Sequence, residues 1–73
     1  SLEQYQEQYG LGGNFAPIAN YDLLKEAVKE AEKLGYKTCI IPESNKKLLK
    51  ENFKLDIIGA KNVIDAMKYL GLK

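Results

Sequence analysis

From Asn20 onward the apolar positions alternate between two rhythms. Tyr21, Leu24, Ala27, Val28, Ala31 and Leu34 recur at spacings of three and four, the period of one helix face. On an ideal wheel they fit in an arc of roughly 140°. Asn20 can cap this helix and Gly35 can end it. The remaining face pairs Asp22 with Lys25, Glu26 with Lys29 and Glu30 with Lys33, each acid N-terminal to its base, as a solvated helix prefers. The rhythm then changes. Thr38-Cys39-Ile40-Ile41 is a continuous run stopped by Pro42, which predicts a strand buried on both faces. Ser44 is expected to cap a short helix through Leu48 and Leu49. Leu55-Asp56-Ile57-Ile58, closed by Gly59, predicts another strand. Asn62 is placed to cap a last helix, with Asp65 in its first turn and Val63, Ile64, Met67 and Leu70 facing inward.

Ahead of these elements the pattern is less regular. Residues 4–9 put Tyr5, Glu7 and Tyr9 on one side of an extended chain and polar groups on the other, as an edge strand would. Gly10, Gly12 and Gly13 form a turn, and Asn14-Phe15-Ala16-Pro17-Ile18 reads as a short strand with Pro17 at its edge or end. The expected architecture is therefore α/β: an N-terminal hairpin-like segment, then β-α-β-α-β-α with a mainly parallel sheet and right-handed crossovers. Residues 1–13 read as an N-terminal extension or edge segment that begins with a cloning remnant, Ser1-Leu2, and residues 14–73 as the α/β subdomain. No internal repeat is present.

Composition narrows the chemistry. The 73 residues bound the chain to a single domain, and a domain of this size buries only about 60% of its unfolded surface. Its 45% hydrophobic content with 29% charged residues is that of a folding chain rather than a disordered one. There is no histidine, which removes the commonest metal ligand, the commonest general base and every Ser-His-Asp arrangement. Every positive side chain is lysine. The absence of arginine counts against a dedicated nucleic-acid reader, because bidentate phosphate and guanine contacts favour the guanidinium. Residues 1–43 carry net −3 and residues 44–73 net +4. Lys46, Lys47 and Lys50 contribute to that excess, either as a weak basic patch or as an ordinary solvated face.

Cys39 is the only cysteine, so no internal disulfide forms, and the expected setting is reducing and cytoplasmic. No apolar run approaches the ~18 residues of a membrane span, and no signal-peptide pattern is visible. Gly12-Gly13 belongs to neither a Walker nor a dinucleotide-binding pattern and reads as a turn. Tyr5, Tyr9, Tyr21, Tyr36 and Tyr69 are too irregularly spaced for a base-stacking platform and read as core edge.

One set of punctuation marks carries a family resemblance. Leu11-Gly12-Gly13, Pro17-Ile18, Leu24-Lys25-Glu26, Lys33-Leu34-Gly35-Tyr36-Lys37, Ile40-Ile41-Pro42-Glu43-Ser44-Asn45, Ile57-Ile58-Gly59 and Val63-Ile64-Asp65-Ala66 follow one another in an order that resembles the C-terminal half of the Lon-type proteolytic domain. That domain occurs in ATP-dependent Lon proteases and, as Lon-like domains, in RadA and ComM-type proteins. The match spans residues 10–71, and Gly35 to Asn45 is its most specific stretch, closest to RadA.

The resemblance implies a subdomain attached to an AAA+ or RecA-like ATPase. ATP would be held by that parent and no cofactor by this chain; self-association is implied, and direct nucleic-acid binding is not. Mechanistically it implies a serine nucleophile whose proton passes to a lysine amine that must be desolvated to act as a base. Lys25 is the matching lysine, and at the border of the apolar arc it can reach a cleft; the alternative is a solvated partner of Asp22. Asp22-Leu23 stands where the family has Gly-Gly, and five residues separate Pro17-Ile18 from Leu24 where the family has three or fewer. The family's Gly-Pro-Ser-Ala-Gly loop is absent, and Ser1 and Ser44 are the only serines. The expected role is packing and oligomer assembly without catalysis by this chain alone. The alternatives are a piece of an active Ser-Lys protease with Lys25 as general base, and a freestanding small α/β domain.

Overall fold

The computed structural model describes residues 1–71; the last two positions of the expected 14–73 subdomain lie outside them. The chain is α/β, with helices α1 (Leu2–Tyr9), α2 (Tyr21–Lys33), α3 (Glu43–Lys46) and α4 (Val63–Tyr69) around strands β1 (Thr38–Pro42) and β2 (Asp56–Ala60). The strands pair in parallel, Thr38 opposite Asp56 and Pro42 opposite Ala60.

Helix α2 follows its apolar period. Asn20 caps it by accepting the Leu23 amide at 3.0 Å, and Gly35 leaves it at φ 84°, a conformation open to glycine. Leu24 and Val28 from this helix meet Ile41 and Leu55 in the core, with Cys39, Phe53 and Ile57 packed around them. Strand alternation turns Ile40 and Ile58 to the other face, where α4 lies against β2 and α1 against α4. Leu2, Ala60 and Ile64 are buried there. The ends of the expected stripes come out exposed: Leu34 beyond α2, and Val63 and Leu70 in and after α4.

Three local expectations are corrected. Residues 4–9 are helix rather than edge strand. Ser1 caps α1 in a reciprocal capping box with Gln4, and the Tyr5 and Tyr9 rings meet at 4.5 Å, the contact made by residues four apart on a helix. Leu, Glu and Gln fill the turns between, all good helix formers, and Gly10 ends the helix at φ 66°.

No hairpin forms, because Asn14–Ile18 is not a ladder strand. It is an extended crossing over the carboxyl ends of both strands. The Phe15 amide donates to Lys61 O at 2.7 Å, and the Ile18 amide donates to Asn45 Oδ1 at 2.7 Å. Among the described residues the sheet consequently has two strands, not three.

Ser44 caps nothing: α3 starts directly from Pro42 without a side-chain cap. Strand and helix meet so abruptly that Glu43 lies over Gly59, where a Cβ would stand 3.1 Å from the Glu43 Cα.

The molecule is flat, 36 × 25 × 16 Å, with a radius of gyration of 13.3 Å. A compact domain of this length is expected near ~11 Å. Among the described residues no helix is long and apolar enough to cross a membrane.

Candidate functional site

Lys25 sits one turn beyond Tyr21 on α2, and its surroundings decide what it can do. Its Nζ lies 3.6 Å from Glu51 Oε1, 4.0 Å from Asp22 Oδ1 and 5.6 Å from the centre of the Tyr21 ring. The Tyr21 hydroxyl donates to Glu51 Oε2 at 2.6 Å. Donation to that carboxylate, with burial adding, pushes the tyrosine up from its ordinary value. The same hydrogen bond, helped by nearby backbone donors and the Lys25 charge, holds Glu51 below the usual carboxylate range despite some desolvation. Tyr21, Lys25 and Glu51 thus form a surface clasp that ties α2 to the segment after α3. Neither serine is among the groups that contact Lys25: Ser1 caps α1 and Ser44 lines a different part of the surface. A general base needs a neutral, desolvated amine beside a hydroxyl; Lys25 has two carboxylates and partial solvent exposure. Glu51 was not legible in the sequence, since it belongs to no periodic stripe and is joined to α2 only by the fold.

The carboxyl ends of parallel strands are where open α/β sheets hold ligands. Here that position is a crevice of about 210 Å³ between Asn14, Phe15, Ser44, Lys47 and Lys61. It is smaller than the ~300 Å³ lower bound of ordinary small-molecule pockets, and the crossing segment 14–18 occupies part of the available space. Among the described residues no group of three His, Cys, Asp or Glu side chains could hold a metal ion. Cys39 packs against the core, and burial pushes its thiol up, away from the reactive thiolate.

The third feature is apolar. A groove of about 320 Å³ runs between Phe15, Ala16, Ile40, Pro42 and Ala66, on the sheet face left partly open by α4. It adjoins the outer side of β1. The chain matches no family model, no curated protein and no solved structure. Its own surface is therefore the guide to function, and that surface exposes several large apolar side chains. Leu23, Leu34, Leu48, Leu70 and Tyr36 are each 60% exposed or more.

Proposed function

We propose that this chain is the C-terminal subdomain of a Lon-like domain, a packing and assembly module beside an AAA+ or RecA-like ATPase that does no catalysis alone. The observation that carries the reading is the uncovered apolar surface: a groove over Ile40, an open strand edge and a set of exposed leucines on a flattened body. Surfaces of this kind mark sites of protein association. The Gly35-to-Asn45 resemblance supplies the family, and the parallel β1-α3-β2 unit is compatible with it. In this reading ATP belongs to the attached ATPase, the chain holds no cofactor, and it binds no nucleic acid directly.

Sedimentation equilibrium is the test. The apparent mass should rise above 8.2 kDa with concentration; a strict monomer up to about 1 mM, the weak end of association, would remove the reading. In parallel, the purified chain should hydrolyse no unfolded protein, with or without ATP. Hydrolysis abolished by Lys25→Ala would replace the assembly reading with the protease one. In its absence, Lys25→Ala should change stability by no more than ~0.5 kcal/mol, the scale of a surface ion pair.

A further inference from the structure

The two parallel strands end side by side, and the crevice at their carboxyl ends is lined by the residues that follow each of them. Pro42 leads from β1 straight into α3, where Ser44 and Lys47, three residues apart, line the crevice from one side. Ala60, fully buried, ends β2 beside them. Lys61 comes next, and its backbone is held twice: its amide donates to Asp65 Oδ2 at 2.8 Å, and its carbonyl accepts the Phe15 amide at 2.7 Å. That second bond sets Asn14 and Phe15 as the remaining wall.

The polar side chains gathered here are uncommitted. Among the described residues the ion pairs use Lys25, Lys29 and Lys68, and neither Lys47 nor Lys61. The side-chain hydrogen bonds of the described residues likewise leave out the Ser44 hydroxyl and the Asn14 amide. Glu43 is the carboxylate of the lining. It folds back over Gly59, into space that a Cβ would need, and it enters none of those ion pairs or hydrogen bonds.

We infer that this crevice binds free inorganic phosphate. Lys47 and Lys61 supply the two positive charges, and Ser44 and Asn14 the neutral donors, that an oxyanion requires. About 210 Å³ is room for roughly seven waters at ~30 Å³ each, enough for a tetrahedral oxyanion and too little for a nucleotide. Glu43 selects among oxyanions, because an ionised carboxylate only accepts hydrogen bonds and so needs a donor on the ligand. Near pH 8 free phosphate still carries one proton, whereas a phosphomonoester, with its second pKa of about 6, carries none, and sulfate carries none either. The inference goes beyond the assembly reading and does not depend on it.

Amide chemical shifts of the full chain, followed during titration near pH 8 at constant ionic strength, test it. Inorganic phosphate should saturate with a Kd of about 1 mM, moving the Ser44, Lys47 and Lys61 amides most. Sulfate and methyl phosphate should each bind at least tenfold more weakly. Lys47→Met and Lys61→Met should each weaken phosphate about tenfold, the loss of one charge-assisted hydrogen bond. Lys33→Met removes the same charge from α2 and should change nothing. Glu43→Gln replaces an acceptor by a group that also donates, and should bring sulfate level with phosphate. Absence of saturation, or an equal loss in the Lys33 variant, overturns the site. Sulfate equal to phosphate on the wild-type chain overturns the role of Glu43 and with it the choice of ligand. Methyl phosphate as tight as phosphate overturns the free ion in favour of a phosphomonoester.

Discussion

Asn45 is the buried polar side chain of the described core, 2% exposed. Its Oδ1 accepts the Ile18 amide at 2.7 Å and its Nδ2 donates to Ile18 O at 3.0 Å, so one side chain satisfies both backbone groups of a residue that joins no ladder. Asn45→Ala removes both bonds at once and should destabilise the fold by about 2 kcal/mol, read from urea unfolding. Asn45→Asp keeps the acceptor, loses the donor and buries a charge, and should cost more at neutral pH than in acid.

The Tyr21–Glu51 pair gives stability a second pH dependence of known sign. Glu51 is depressed in the folded state, so its contribution is present above the ordinary glutamate value of about 4.3 and is lost as pH falls through the folded value. Tyr21 is raised, so its contribution is present below about 10 and is lost as pH rises through its folded value. Tyr21→Phe should therefore lower the urea midpoint across the neutral range, and the two unfolding curves should converge at acid and alkaline extremes. A constant gap at every pH would mean that the hydroxyl contributes nothing through Glu51.

At the scale of elements, α2, both strands and α4 were legible because their signals are local: a stripe of spacing three and four, a run ended by proline, an asparagine before each helix. Asn62 accepts the Asp65 amide at 2.8 Å, as Asn20 accepts that of Leu23. Asn20→Ala and Asn62→Ala should each cost about 1 kcal/mol, measured by thermal unfolding, with faster exchange of the Leu23 and Asp65 amides respectively. Residues 4–9 were misleading for a physical reason. Tyr5, Glu7 and Tyr9 satisfy a period of two, while Tyr5 and Tyr9 alone satisfy a spacing of four, and only the reciprocal Ser1–Gln4 cap decides between them. Residues 14–18 were equally ambiguous. Extended backbone with an edge-type proline describes a strand and a crossing alike, and the difference lies in partners distant along the chain.

At the scale of the molecule, the buried apolar set is small: Leu2, Leu24, Val28, Ile41, Leu55, Ala60 and Ile64. A core of this size supplies about 3–5 kcal/mol at most. Val28 is fully enclosed, and Val28→Ala should remove about 2 kcal/mol and lower the melting temperature by roughly 10 °C, readable by circular dichroism. Self-association should raise the melting temperatures of both proteins as concentration rises, with the difference between them preserved. The α/β class and parallel pairing were legible in the sequence because a strand-helix-strand order constrains them. The Glu51 partnership and the bare edge of β1 were not, since each depends on what packs beside a residue rather than on its neighbours in the chain.

The contacts that fasten the N-terminal third are nested. Ile18 is held by Asn45, Phe15 by Lys61, Gly12 by Asn62 at 3.5 Å and Glu3 by Lys68 at 3.7 Å. Moving backward from Ile18, each residue meets a partner further forward. Closing the innermost contact shortens the span that the next must close, and the entropy of loop closure falls at every step. The chain can therefore zip from the middle outward, with the α2–β1–β2 unit forming first and α1 docking last. On the ribosome this order runs against the direction of synthesis. The N-terminal third is made before the partners that fasten it here, and those contacts wait until Asn45 through Lys68 have followed it out of the exit tunnel.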